Sequence, residues 1–369
     1  MEFDFSADQK LLKEQVQRFL HDKSKLSVAR RVLEGDETHA ADVWRGLAEL
    51  GALGVAVPEA YGGMGLGALE LCVVAEEVGR ACAPVPFQSS VCLATDALVQ
   101  FGSEAQKARW LPKLIAGETI GTMAVSEGGK SIAQVATTLA GDKLSGTKVP
   151  VIDGEAAGVA IVMASGAGGP TLALVDLGGR GITRKRIDTL DPTRKQAAIT
   201  FDGAAAELLG ERGAGVRQLR ALHDRAAVLG SFEQIGGAEA ALYMARDFAL
   251  ERYAFGRQIG SYQAIKHKLA DAYIKIELAR SNAYYGAMML ASGGADLPLA
   301  AAAARVSATD AYEYASKENI QTHGGIGFTW AADPHLHYRR SRLLSLSLGG
   351  ATLWRNRLVT ALEKRNAAA

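Results

Sequence analysis

The sequence predicts an α+β protein in three parts: an N-terminal α-helical domain over residues 1–120, a central antiparallel β domain over residues 121–209 and a C-terminal four-helix bundle over residues 210–369. Apolar residues recur at helical spacing in the first and last parts, whereas short apolar runs separated by Gly, Asp and Pro fill the middle. A chain of 369 residues is long enough for two or three domains. Its 41 glycines, abundant alanine and 7% aromatic content indicate closely packed helices.

The first helix begins at a capping box formed by Ser6 and Gln9, because apolar residues at helical spacing follow it. Further helices are predicted over Ala40–Leu50, Ala68–Ala83 and Ser89–Phe101. The glycine-rich segment Pro58–Gly65 lacks the glycine spacing of a phosphate-binding loop, and it therefore predicts a structural turn.

The middle part predicts five strands: Thr122–Val125, Lys148–Ile152, Val159–Met163, Leu172–Val175 and Ala197–Phe201. The last part predicts four long helices: Gly215–Arg252, Tyr262–Ala291, Leu297–His323 and Ser341–Arg365. Gly293 and Gly294 separate the second of these helices from the third.

The charge balance excludes a nucleic acid or an anionic membrane as the main partner, because 41 basic residues face 40 acidic ones. The three cysteines, Cys72, Cys82 and Cys92, form no C-x-x-C pair, so we expect buried thiols rather than metal ligands or disulfides. The acidic N-terminus lacks the basic and apolar regions of a signal peptide, which predicts a cytoplasmic protein.

Two segments carry groups suited to a dinucleotide. In Glu251–Gly260 a predicted helix ends in an arginine and aromatics before a glycine-bounded turn, and an arginine offers a planar fork for a pyrophosphate. In Gln321–Thr329 a helix opens into Gly324 and Gly325, against which a flat group can lie. Each segment alone is also consistent with a plain helix C-cap.

Together with Pro58–Gly65 and the α-β-α order, these segments resemble the acyl-CoA dehydrogenase family over essentially the whole chain. The resemblance implies an FAD enzyme, dimeric or tetrameric, that oxidises an acyl-CoA thioester to the α,β-enoyl-CoA. It also implies an electron-transfer flavoprotein as the oxidant of the reduced flavin. The cofactor-binding residues that it implies are Arg252, Phe255, Gln263, Gln321, Gly324, Gly325 and Ser126.

The catalytic base departs from the commonest family pattern. Many relatives carry a Glu in a Y-E-G-T stretch near the C-terminus, and Leu348 occupies that position here. Another branch carries its carboxylate on the first long helix of the last domain, immediately before an arginine, which makes Asp224 the candidate base and Arg225 a substrate-binding residue. The alternative is a solvated helix-surface ion pair between Asp224 and Arg225 or Arg220.

The central domain also departs from the family pattern. The segment Val125–Ser131 keeps Ser126 and Glu127 but loses the later G-S-D, and in Lys148–Gly154 Pro150 and Ile152 replace an aromatic and a hydroxyl residue. By this resemblance, the residues expected on the adenosine side of the flavin site are present, whereas residues expected on the isoalloxazine side are replaced. We therefore hypothesise that this chain is one subunit of an α2β2 hetero-oligomer. Such assemblies occur in bacterial branches of the family that degrade steroid side chains and other bulky acyl-CoAs.

Three alternatives remain open from the sequence. The same fold serves flavin-dependent oxidases and monooxygenases, and a non-catalytic member could act as a structural or binding subunit. Some relatives bind DNA. The only sequence feature here that favours DNA binding is a basic cluster, which is better interpreted as a solvated face or a subunit contact: Arg339, Arg340, Arg342, Arg355 and Arg357. His323 is predicted to end a helix, and Trp330 and Trp354 to pack.

Overall fold

A computed structural model describes residues 6–129 and 134–368. The N-terminal part contains α1 (Ala7–Lys23), α2 (Leu26–Glu34), α3 (Ala41–Glu49), α4 (Ala68–Arg80), α5 (Asp96–Phe101) and α6 (Glu104–Ile115). Ser6 and Gln9 form the predicted capping box at the start of α1. The predicted helix over Ser89–Phe101 is instead a buried π-helical stretch, Phe87–Thr95, followed by α5.

Eight strands form the sheet of the described chain: β1 (Gly121–Ala124), β2 (Thr138–Ala140), β3 (Lys143–Ile152), β4 (Val159–Gly166), β5 (Gly169–Asp176), β6 (Ile182–Ile187), β7 (Gln196–Ala205) and β8 (Glu207–Leu209). The sequence pattern missed three of them. Strands β2 and β8 have three residues each, and β6 is an edge strand whose charged residues hide its apolar positions.

The sheet is mixed, so the prediction of a wholly antiparallel β domain was wrong in this respect. Its strand order is β6-β7-β3-β2-β4-β5-β8, and β1 pairs with β4. The pairing of β1 with β4 is parallel, from Gly121 opposite Val159 to Ala124 opposite Val162. Strand β2 also pairs with β4 in parallel, at Thr138 opposite Ser165, so β1, β2 and β4 run in one direction and β3 runs opposite to them.

The C-terminal part contains five helices among the described residues rather than four: α7 (Gly215–Glu251), α8 (Gln263–Ser292), α9 (Leu297–His323), α10 (Pro334–Ser347) and α11 (Ala351–Ala368). The predicted helix Ser341–Arg365 is broken because Gly349 adopts a φ of 94°. Gly293, with a φ of 64°, ends α8 as predicted.

The described chain forms two compact units, each built from segments distant in sequence. The helical unit contains the described residues of Met1–Arg30, Ala68–Ala83 and Ala227–Ala369, and the sheet unit contains Arg31–Gly67 and Pro84–Ala226. Division of the chain after residues 120 and 209 stays a prediction, although β1 begins at Gly121 and α7 at Gly215.

Glycine allows a close crossing of α4 and α7 inside the helical unit. A Cβ at Gly236 would lie 1.9 Å from the Glu76 carbonyl oxygen, and one at Gly79 would lie 1.8 Å from that of Glu233. The predicted link between high glycine content and close helix packing is confirmed at this crossing.

The three cysteines are buried, as predicted, and none forms a disulfide within the described residues. The helices in the described part of the chain include none that combines the length and the hydropathy needed to span a bilayer.

Candidate active site

A tight hairpin follows α7 in the helical unit. Its two short strands, Tyr253–Ala254 and Arg257–Gln258, are joined by a two-residue turn in which Phe255 has a φ of 53° and Gly256 a φ of 81°. Positive φ at both turn positions is the type I′ geometry, in which a bulky residue is strained. The Phe255 side chain is 97% exposed, so a strained backbone presents an aromatic ring to solvent.

Contacts between α7 and α9 place this hairpin beside the end of α9. The Phe248 ring stacks on the His323 ring with 4.1 Å between centroids, and His323 Nδ1 donates to the Asn319 carbonyl 2.8 Å away. The second contact confirms that His323 ends a helix. The Ile259 amide donates to the Arg252 carbonyl (2.8 Å) and closes the hairpin against α7. The predicted residues gathered at this end are all exposed: Arg252, Phe255, Gln263, Gln321, Gly324 and Gly325.

Gly324 and Gly325 leave an open backbone surface at the end of α9. Gly324 has a φ of 60° and a ψ of −139°, a conformation that residues with a Cβ rarely adopt. Apart from each glycine and its chain neighbours, no atom of the described residues lies within 4 Å of the position that a Cβ would take at Gly324 or Gly325. A planar group can therefore approach the main chain directly.

The candidate base lies in the sheet unit. Asp224, on α7, is only 6% exposed, so the alternative of a solvated surface residue is wrong for this side chain. The neighbouring Arg225 donates from Nε to Asp96 Oδ2 (2.7 Å) and from Nη2 to Asp96 Oδ1 (2.9 Å). This bidentate ion pair fixes the guanidinium next to Asp224 in the chain.

Sequence reasoning missed Asp96. It begins α5 directly after the buried π-helical stretch, a distortion that is frequent at functional sites. The sequence did contain a signal for it, because Asp96 is the only charged residue between Arg80 and Glu104. Its buried setting requires a partner, and Arg225 supplies it.

A second ion pair holds the Ser126 segment against β3. Lys148 Nζ lies 2.7 Å from Glu127 Oε1, with the Lys148 side chain fully buried. Burial alone would raise the pKa of Glu127, but hydrogen bonds from Lys148 and from the Ala136 and Thr137 amides outweigh it and lower that pKa to about 2. Burial also lowers the pKa of Lys148.

The predicted flavin-side residues adjoin this ion pair. The Val149 amide donates to the Ser126 carbonyl (2.8 Å), and Ser126 is half-buried. Pro150 is exposed on β3, and Ile152 is half-buried at its end. Lys130 and Ser131 lie outside the described residues.

The position of the common family Glu is apolar and packed. Leu348 is 1% exposed, and its carbonyl accepts a hydrogen bond from the Trp354 Nε1 (3.0 Å). The Trp354 side chain is buried, as predicted, whereas Trp330 is half-exposed and stacks on His335.

The arginine cluster of α10 and α11 is not a uniform solvated face. Arg340 is fully buried and donates to the Ala83 carbonyl (3.0 Å), and Arg342 pairs with Glu313 at 2.6 Å. The interpretation of this cluster as a solvated face is therefore wrong for Arg340.

Comparison with known proteins identifies the family. The acyl-CoA dehydrogenase N-terminal domain family matches residues 6–118, and the acyl-CoA dehydrogenase C-terminal domain family matches residues 203–362. Acyl-CoA dehydrogenase IpdE2 of Mycolicibacterium smegmatis is 31% identical, over 93% of this chain and 95% of the relative.

Two solved structures have a fold similar to that of this chain. A variant of the steroid ACAD Tcur3481-Tcur3483 is 33% identical with a TM-score of 0.89, and the match covers 98% of this chain and 99% of the other. A chain of the ChsE4-ChsE5 complex from Mycobacterium tuberculosis is 26% identical with a TM-score of 0.89, over 98% and 99% of the two chains.

Proposed function

The chain belongs to the acyl-CoA dehydrogenase family of oxidoreductases, and we propose that it catalyses the FAD-dependent α,β-dehydrogenation of an acyl-CoA thioester. The observation that carries the proposal is the buried carboxylate of Asp224, followed by an arginine that Asp96 holds in a bidentate ion pair. Leu348 cannot transfer a proton, so the base has to be a different residue.

Removal of the α-proton is the step that the described residues would perform. That proton is weakly acidic, so the base must be poorly hydrated and held in one orientation. Asp224 meets the first requirement by its burial. Asp96 pairs with Arg225, so the positive charge next to Asp224 in the chain is compensated.

The described residues fit FAD on its adenosine side. Arg252 offers a fork for the pyrophosphate, the open backbone at Gly324 and Gly325 suits a flat group, and Phe255 offers an exposed ring. Gln263 and Gln321 would add amide hydrogen bonds to this adenosine half, which would belong to the FAD of a neighbouring subunit. The Ser126 hydroxyl would serve the isoalloxazine side of the chain's own FAD. The chemistry that FAD supplies in this family is acceptance of the hydride from the β-carbon.

The test is anaerobic reduction of the flavin by acyl-CoA esters, using the chain purified alone and together with the product of its neighbouring gene. We expect the flavin absorbance to bleach with at least one acyl-CoA and the corresponding enoyl-CoA to form. Failure of short, long and bulky acyl-CoAs alike to bleach a fully flavin-loaded protein would contradict the proposal.

A second candidate function is a subunit that completes the flavin site of a catalytic partner. The observation that favours it is the contrast between the exposed, intact adenosine-side residues and the replaced flavin-side positions, Pro150 and Ile152. An α2β2 assembly would then hold one FAD per two chains. One FAD per chain, with turnover by the chain alone, would exclude it.

The substrate and the electron acceptor are further parts of the proposal. The likeness to a steroid ACAD supports a bulky acyl-CoA substrate, and the family supports an electron-transfer flavoprotein as oxidant. Reoxidation of the substrate-reduced flavin by O2 within seconds would favour an oxidase or monooxygenase instead.

A further inference from the structure

A cavity of about 650 Å³ lies within the helical unit, and its described lining contains none of the predicted active-site residues. The second half of α1 and the link to α2 form one wall, and the C-terminal end of α4, part of α7 and one residue of α10 complete it. The lining residues are Glu14, Gln17, Arg18, Leu20, His21, Ser24, Lys25, Leu26, Glu77, Arg80, Ala81, Ala240, Met244 and His337. This volume is in the range of small-molecule sites, roughly 300–1,000 Å³.

Small side chains keep the cavity open. Ala81 and Ala240 are half-buried in its walls, where a larger apolar residue would fill the space. Leu20, Leu26 and Met244 supply the rest of the apolar surface. Such a lining suits an apolar chain, and methionine adapts to its shape.

Three buried polar groups interrupt the apolar lining, and one of them, Glu77, already pairs with Arg80 (3.0 Å). Ser24 is 3% exposed, and its hydroxyl has no hydrogen-bond partner among the described residues. His337 is 1% exposed, and its Nδ1 lies 3.2 Å from the Tyr312 hydroxyl. Burial lowers the pKa of His337 to about 4, so the ring is neutral near pH 7. A buried hydroxyl without a partner is costly, which favours a ligand that supplies one.

The exposed residues around the cavity carry a positive excess. Arg18 and Lys25 are exposed, with Glu14 as the acidic residue near them. The charge of Arg80 is already compensated within the protein, because Arg80 pairs with Glu76 (2.8 Å) and Glu77 (3.0 Å) and also with Glu239. No described carboxylate lies within ion-pair distance of Arg18 or Lys25, so both can face an anionic group.

We infer that this cavity binds an amphipathic lipid of the free fatty acid class, with its chain between Ala81, Ala240 and Met244 and its carboxylate near Arg18 and Lys25. The site is separate from the proposed dehydrogenase site and does not depend on it. Its occupant would give the Ser24 hydroxyl a hydrogen-bond partner near the end of α1.

The first test is calorimetric titration of the full-length protein, with any partner that co-purifies, with dodecanoate. We expect saturable binding that Ala240→Phe and Ala81→Leu each weaken at least tenfold, because both fill the cavity. Ala105→Leu makes the same kind of change on the exposed surface of α6 and should leave the affinity unchanged. Absence of dodecanoate binding, or equal binding by folded filling variants, overturns the inference.

The second test addresses the head group and the location. Dodecan-1-ol and dodecyltrimethylammonium should bind more weakly than dodecanoate, and Arg18→Gln with Lys25→Gln should remove about a fivefold preference. A photoreactive fatty acid should label the peptides around Ser24 or Met244. Labelling confined to peptides outside the cavity, or equal affinity for the cationic lipid, overturns the assignment even if the dehydrogenase activity is confirmed.

Discussion

The exposed cluster at the ends of α7 and α9 and the buried charged residues of the sheet unit, here called the buried region, carry their functional groups in opposite ways. Arg252, Phe255 and Gly324 face solvent, and the backbone is at positive φ at Phe255 and at Gly324. The buried region instead holds its charges in the pairs Arg225–Asp96 and Lys148–Glu127. Exposed groups keep their binding capacity for a ligand, whereas buried groups also determine stability.

This comparison predicts that substitutions in the two regions have different signatures. Changes in the exposed cluster should weaken flavin binding and leave the free energy of unfolding nearly unchanged. Changes in the buried region should lower stability or turnover. The following predictions test this separation in order of decreasing effect.

Lys148→Met should lower the free energy of unfolding by about 3 kcal/mol at pH 7, because it leaves Glu127 buried without its cation. The lowered pKa of Glu127 means that its ionised form stabilises the fold above pH 4.5, and this contribution is lost as the pH falls toward 2. The difference between variant and wild type, measured by denaturant titration, should shrink over that range. Lys143→Met, at an exposed site on the same strand, is the control; equal losses for both variants would contradict the prediction.

Asp96→Asn should lower the turnover number about 10- to 100-fold, because Arg225 loses its anionic partner and its orientation beside the base. Steady-state kinetics should show the loss in kcat and in kcat/KM, whereas the flavin content should stay unchanged because the flavin-binding residues are unchanged. Asp142→Asn is an exposed control. An unchanged kcat in folded, flavin-loaded Asp96→Asn would show that the ion pair has no part in catalysis.

Arg252→Ala should weaken FAD binding about tenfold, the cost of a charge-assisted contact to a phosphate. Fluorescence titration measures the affinity, and thermal unfolding of the flavin-free protein should be unchanged because Arg252 is exposed. Arg246→Ala removes another exposed arginine from the same helix and should leave the affinity as it is. If the two variants bind FAD equally, Arg252 is not a flavin contact.

Phe255→Asn should stabilise the flavin-free protein by about 1 kcal/mol, since asparagine tolerates a positive φ better than phenylalanine. The same variant should bind FAD more weakly because the exposed ring is lost. Phe255→Leu keeps the strain without the ring and should lose affinity with no gain in stability. A gain in both stability and flavin affinity on Phe255→Asn would separate this residue from the cofactor site.

The regular parts of the fold were predictable because local rules determine them. The capping box at Ser6 and Gln9 and the bounds of α9 follow from residues within a few positions of each other. The parallel pairing of β1 with β4 was not predictable, because it depends on the path of the chain between distant segments. The break at Gly349 had a local signal that the prediction passed over, since Gly349 and Gly350 form a pair like the one that separates α8 from α9.

The site shows the same division between local and long-range information. The segments around Arg252 and Gly324 could be identified from the sequence because their functional residues lie close together in short motifs. The partnership of Arg225 with Asp96 joins residues far apart in sequence, so no local pattern contains it. The burial of Arg340 could not be read from a basic stretch for the same reason.

The most direct test of the account is a single-turnover measurement of flavin reduction by acyl-CoA in Asp224→Asn. With flavin content matched to wild type, we expect the rate of bleaching to fall at least about a hundredfold, as removal of a general base requires. Asp202→Asn, an exposed substitution on β7, should reduce its flavin at the wild-type rate. An unchanged rate in Asp224→Asn would contradict the account and assign the base to a partner subunit.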